Sequence, residues 1–120
     1  MTTRATAPAD FRARNLRGFR AKHQYNRADP AFAAFLRTTS VYAIWDDHEV
    51  VNDFAGPSEP LMPVGRQAFL EYWPIEPPAG DRTRLYRRAR WGRLVDLFIL
   101  DTRQYRSPNT MSDGPDKTML

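Results

Sequence analysis

Apolar residues recur along this chain with two different periods, and the switch between them outlines an α/β fold. In "FRARNLRGFRAKHQY", residues 11–25, Phe11, Leu16 and Phe19 fall at loosely helical spacing, with Gly18 weakening the pattern, so a helix is expected there. "RADPAFAAFLRTT" is a clearer case, with Asp29 in an N-cap position, Pro30 at the first helical residue and Phe32, Phe35 and Leu36 on one face. The aspartate can accept an orphan N–H, and proline loses nothing in a first turn. Residues 52–63 hold Gly56, Pro57, Pro60 and Pro63 and read as loop, followed by a helix over residues 64–72 that turns Phe69, Leu70 and Trp73 inward. "PIEPPAGD" closes it.

The second period is that of strands. "SVYAIW", residues 40–45, is β-branched, aromatic and apolar throughout, as expected of a strand covered on both faces. "RLYRRARWGRLVDLFILDTRQYR" reads as two strands around Trp91 and Gly92, the first alternating with polar residues. The second, residues 94–100, is nearly all apolar apart from Asp96 and is expected at the centre of a sheet. Residues 1–10 read as a disordered lead-in, residues 11–120 as one partial domain, and the stretch from Ser107 as turn chemistry.

At the end of the first expected strand the pattern breaks into "IWDDHEVVND", which sets Asp46, Asp47, His48 and Glu49 side by side. Ligand sites in open α/β sheets form at the carboxyl ends of strands, and Asp101 stands at the end of the later strand as Asp46 does here. Three carboxylates beside a buried strand repel one another and resist desolvation, a difficulty that a cation removes. Asp46, Asp47, His48, Asn52 and Asp53 offer oxygen and imidazole donors of the kind that divalent ions take. A bare D-D-H-E is equally compatible with a solvated loop, a lone histidine is often only a hydrogen-bonding residue, and Glu49 could pair with an arginine.

Composition narrows the chemistry. The 120 residues contain no cysteine, which removes disulfides, thiolate nucleophiles and Cys-based zinc sites. No apolar run has the length of a membrane span and no signal peptide is visible, so localisation stays open. The net charge of +4 comes almost wholly from arginine, with lysine only at positions 22 and 117. Between Thr38 and Gly65 there is no Lys or Arg, while Asp46, Asp47, Glu49, Asp53 and Glu59 are all acidic, so the motif is an acidic island in a basic chain. Arg12, Arg14, Arg17, Arg20, Lys22 and Arg27, interleaved with Phe19 and Tyr25, allow an alternative reading as a basic nucleic-acid-binding module. Nucleic acid is nonetheless the less favoured partner, because arginines along a helix are usually a solvated face. A third reading is a non-catalytic structural piece that needs a complementary chain to bury residues 94–100.

The motif also resembles a known family. "IWDDHEVVND" looks like the W-D-D-H-E-V-x-N motif of PhoD-like alkaline phosphatases, a branch of the calcineurin-like metallophosphoesterases. "YNRADPAFAAFLRTTSVYAIWDDHE" resembles the elements leading into that motif, "RQAFLEYWPI" the helix after it, and "LYRRARWGRLVDLFILDTRQYR" a strand pair ending in L-D-x-R-x-Y-R. The resemblance implies a metallophosphoesterase-type β-sandwich flanked by helices and metal-dependent hydrolysis of a phosphate ester. It implies divalent or trivalent ions, calcium with iron or manganese. Aligned on the superfamily's G-N-H-[DE], Asp47 takes the place of a metal-binding amide and His48 the phosphate-facing, catalytic role. Asp46 and Asn52 become further metal-ligand candidates, and Glu49, Asp101 and Arg103 candidates for orienting ligands or contacting phosphate. The family's D-x-H, early G-D and late G-H-x-H motifs have no counterpart here: the only histidines are His23 and His48, and Gly80 with Asp81 comes after the motif. An internal fragment is therefore expected, one that carries the central part of the site and has the remainder of the enzyme as its partner.

Overall fold

The structure, a computed structural model, describes residues 11–119; the expected lead-in over residues 1–10, and Leu120, lie outside the described residues. Helix α1 runs over Leu16–Arg27, α2 over Pro30–Thr38 and α3 over Met62–Tyr72, and strands β1, Arg87–Trp91, and β2, Val95–Ile99, form a two-stranded sheet. The architecture is thus mixed helix and small sheet, consistent with the α/β class; the described residues form no β-sandwich.

The helix starts follow from local chemistry. Asn15 caps α1 by accepting the Gly18 N–H at 2.9 Å, so the helix begins later than the apolar spacing suggested. Asp29 caps α2 as expected, accepting the Phe32 N–H at 2.8 Å. α3 starts two residues earlier than expected and buries Met62, Gly65, Ala68 and Phe69, a spacing of three, three and one that lies on one face. That face meets α1. Arg20 makes two hydrogen bonds of 2.6 Å to the Glu71 carboxylate, and Arg27 donates to the Tyr72 carbonyl while lying over the Tyr72 and Trp73 rings. His23 stacks on Tyr72 with centroids 4.9 Å apart.

The core gathers beneath the acidic motif. Trp45, Phe54, Phe69 and Leu85 are buried at its centre, with Trp45 meeting Phe54 edge-on at 5.3 Å and Phe69 at 6.1 Å. Val50, from within the motif, and Phe19, from α1, are buried with them. Burying such side chains contributes about 1.5–3 kcal/mol each, so the motif is seated on the most stabilising part of the molecule.

Both strand expectations require correction. Residues 40–45 form no regular element and belong to no sheet; Val41 and Tyr42 are exposed, Ala43 and Ile44 half-buried, and only Trp45 is buried. The Ala43 carbonyl is instead bonded by Arg87 Nη2 at 2.6 Å. Apolar β-branched composition favours extended backbone, yet a strand also needs neighbours to pair with, and among the described residues none lies alongside. β2 is likewise not central. It pairs only with β1, from Arg87 opposite Ile99 to Trp91 opposite Val95, and the hairpin's apolar side chains lie open: Phe98 of β2 is 67% exposed, Leu94 beside it 96% and Trp91 of β1 69%. Asp96 is held on this open surface by Arg88 at 2.8 Å. Among the described residues no helix is long and apolar enough to cross a membrane.

The α1–α3 contact carries a pH signature. Burial first, and the nearby Arg27 charge second, push the His23 imidazole below its ordinary value of 6.5. The unfolded chain therefore takes up this proton before the folded one, so the stability that His23 allows is complete above about pH 6.5 and declines as the pH falls below it. Urea denaturation between about pH 8 and pH 5 should show that decline, and His23→Phe, which keeps a ring against Tyr72, should flatten it.

Candidate functional site

The site is built around one buried carboxylate. Asp101 is 2% exposed, and its Oδ1 accepts the Trp45 indole N–H at 2.9 Å and the backbone N–H groups of Arg103 and Gln104 at 3.0 and 2.9 Å. The two backbone bonds fold residues 101–104 into an Asx-type turn, and the indole bond ties that turn to the residue preceding Asp46. Segments 56 residues apart are thereby joined at a single oxygen. The other oxygen, Oδ2, is buried without a partner.

The turn then presents Arg103 to the motif. Its Nε donates to Asp46 Oδ1 at 2.6 Å, and its Nη2 lies 3.7 Å from Asp47 Oδ2. Arg103 is therefore a bridge between the two adjacent aspartates. The motif is a pair of consecutive turns: the Val50 N–H reaches the Asp47 carbonyl at 2.9 Å, and Glu49 folds back to accept the Asp46 N–H at 2.7 Å. Asp53, at a left-handed φ of 57°, donates its N–H to Asp47 Oδ2 at 2.8 Å.

Two glycines set how closely neighbouring segments approach this loop. A Cβ on Gly65 would stand 2.8 Å from Val50 Cγ2 and 3.2 Å from the Glu49 carbonyl oxygen, so only glycine lets α3 lie against the motif backbone. Gly56 takes φ 57° and donates its N–H to the Arg103 carbonyl at 2.9 Å; a Cβ there would meet the Arg106 carbonyl at 2.5 Å. The loop leaving the motif thus returns onto the 101–106 turn.

These contacts set the protonation states. The Asp47 carboxyl is lowered from its ordinary value chiefly by the Asp53 N–H, with the Arg103 and His48 charges adding to it, so it is an anion. His48 is exposed, with Nε2 2.9 Å from Asn52 Oδ1. The Asn52 amide gives Nδ2–H to Asp53 Oδ2 at 2.9 Å, which leaves Oδ1 as acceptor and makes His48 Nε2 the donor. That bond first, then the Asp47 charge and more weakly those of Glu49 and Asp46, raise the His48 pKa above 6.5.

Asp46, Asp47, His48, Glu49 and Asn52 accordingly share one loop, with Arg103 against it and Asp101 beneath. Among the described residues no three carboxylate or imidazole groups converge to hold a cation. Asp46 is taken by Arg103, Asp47 by the Asp53 amide, and His48 and Asn52 by each other. These residues do not by themselves form a metal cage.

The comparisons with known proteins agree with the motif. The sequence model of the PhoD-like phosphatases matches residues 1–120, and the chain belongs to that family. Alkaline phosphatase D of Bacillus subtilis (strain 168) is 33% identical over 128 aligned residues, which cover 88% of this chain and 22% of that protein. A solved structure described as "Structure of PhoD" superposes with a TM-score of 0.70 at 28% identity, over 88% of this chain and 23% of its own. The chain therefore spans less than a quarter of the length of these relatives. The nucleic-acid alternative gains nothing, because Arg20 and Arg27 are committed to α3.

Sequence reasoning missed Trp45 as the partner of Asp101, Gly65 and Gly56 as spacers, and the approach of α1 to the loop. The indole donor standing immediately before the two aspartates could have signalled the first; the others depend on long-range packing. Replacing Asp101 with alanine strands three donors, each costing about 1–3 kcal/mol when left unsatisfied, so urea unfolding should show a loss of about 3 kcal/mol or more. Asp96→Ala, which removes an exposed pair, should cost less than about 1 kcal/mol in the same measurement.

Proposed function

We propose that this chain supplies the phosphate-facing corner of a phosphate-ester hydrolase site, with His48 as its acid. The observation that carries the reading is the His48 imidazole, raised in pKa and oriented by Asn52, in a loop whose carboxylates are held by Arg103 and the Asp53 amide. Water attacks phosphorus, the bond from phosphorus to the ester oxygen breaks, and that oxygen takes a proton from the imidazolium while the attacking water loses one to solvent. Asn52 holds Nε2–H, so Nδ1–H is the proton delivered. An acid whose pKa lies near the working pH is suited to this step and typically contributes 10²–10⁴-fold.

Arg103 acts by keeping Asp46 and Asp47 in place and lowering the repulsion between them; it is a positioning residue. The family's alkaline phosphatases are metal-dependent. Calcium with iron or manganese, the ions that the resemblance implies, would need donors besides Asp46, Asp47 and Asn52, and these come from sequence outside the matched stretch. On this reading the open faces of β1 and β2 are where the rest of a sandwich packs, and the remainder of the enzyme is the chain's partner.

A chimera tests the proposal, with residues 11–119 replacing the matching stretch of the Bacillus subtilis alkaline phosphatase D. It should release phosphate from an aryl phosphate ester, and His48→Ala within it should lower kcat about 10²-fold or more. The 120-residue chain by itself should show no turnover above background. A chimera that folds and turns over equally well with alanine at position 48 would remove His48 from the chemistry.

A further inference from the structure

The hairpin has two unequal edges. Among the described residues β1 and β2 pair with each other alone, so each leaves a row of outward N–H and C=O groups, and no other segment's backbone bonds that of Val95–Ile99. Open edges of this kind are templates for a further strand, and charged side chains are a common protection. β1 has that protection: Arg87, Arg88 and Arg90 make up most of its length. β2 carries one charge, Asp96, which Arg88 already holds with hydrogen bonds of 3.1 and 2.8 Å, and is otherwise Val95, Leu97, Phe98 and Ile99.

β2 is also complementary to itself. Laid antiparallel against a second β2 about a two-fold axis at Leu97, it sets the two Leu97 side chains opposite each other, Val95 opposite Ile99 and Asp96 opposite Phe98 of the other copy. Alternation keeps Val95, Leu97 and Ile99 on one face and Asp96 and Phe98 on the other, and no like charges stand opposite. Leu94 and Leu100, at the two ends of β2 and 96% and 68% exposed, come opposite each other as well. Moving the axis to Asp96 would put two carboxylates face to face, which selects the register at Leu97. Two β1 edges fare worse: about Ala89 each Arg88 faces an Arg90, and about Arg88 or Arg90 identical guanidinium groups meet.

We propose that two copies of this chain join through β2 into one four-stranded antiparallel sheet, with a β1 at each outer edge. Leu94, Val95, Leu97, Phe98 and Leu100 are all exposed. Together they leave on the order of 600 Å² in water, the upper end for an apolar patch on a monomer, and the paired backbone brings this toward the roughly 800 Å² per partner of a stable interface. The arginines of β1 then stand at both open edges, so assembly stops at two copies instead of running on into a fibre. The inference is independent of the role given to His48. It gives the free chain a partner for the surface that the hydrolase reading assigns to the remainder of the enzyme.

The test is analytical ultracentrifugation of the 120-residue chain from low micromolar to near-millimolar concentration. The mass should rise from 13.9 kDa to twice that value and level off. Leu97→Lys and Leu97→Glu each set two like charges face to face at the axis, so each alone should stay at 13.9 kDa, and an equal mixture of the two should recover the doubled mass. Should either variant fail to fold, the unaltered chain supplies a second readout: over the same concentration range the outward amides of β2 should exchange about tenfold or more slowly while those of β1 stay fast. A mass of 13.9 kDa throughout would overturn the proposal and leave the surface to the remainder of the enzyme. A mass climbing past two copies, a doubled mass that survives both substitutions, or a mixture of folded variants that stays monomeric would overturn it too.

Discussion

A carboxylate buried in a small core is stable only when its surroundings supply donors, and the placement of Asp101 organises much else in this chain. Three N–H groups converge on one of its oxygens: the Trp45 indole and the amides of Arg103 and Gln104. The indole belongs to the largest buried side chain and anchors the segment that leads into the motif. The amides fix the turn from which Arg103 leaves. Without this junction the D-D-H-E stretch and the D-x-R stretch would be two unrelated loops; with it, a guanidinium arrives against two adjacent aspartates at 2.6 and 3.7 Å.

The electrostatics of the site follow. Asp46 and Asp47 are adjacent like charges, tolerated because Arg103 lies across them and the Asp53 amide stabilises the second. Their field, with the Asn52 hydrogen bond, keeps a proton on His48 to higher pH than an isolated imidazole would hold it. Arg12 and Lys22 line one cavity together with His48 and Glu49, and Arg12 and Arg14 line another with Asn52 and Glu59.

Local chemistry was legible in the sequence where the responsible groups are neighbours. Asp29 and Pro30 announce α2, Gly92 at φ 60° makes the turn between β1 and β2, and the four contiguous polar residues from Asp46 to Glu49 do share one loop. What failed depended on partners. Residues 40–45 and 94–100 have the composition of covered strands, but composition records the environment a segment suits and cannot supply it; here the first pairs with nothing and the second lies open beside β1. The Trp45–Asp101 bond, the bridging by Arg103 and the spacing of Gly65 against Val50 join residues far apart in the chain, and no local period encodes them. The chain was expected to carry only one corner of a metal site, and among the described residues Asp46, Asp47, His48 and Asn52 are bonded within the chain without converging on a cation.

The central claim, that Asp101 holds Trp45 and so fixes the motif in place, can be measured directly from hydrogen exchange at the three indole N–H groups. Trp91, 69% exposed on the open hairpin, serves as the internal reference. The indole proton of Trp45 should exchange orders of magnitude more slowly than that of Trp91 and approach the rate set by global unfolding. Exchange of Trp45 as fast as Trp91, in a chain otherwise folded, would contradict the account.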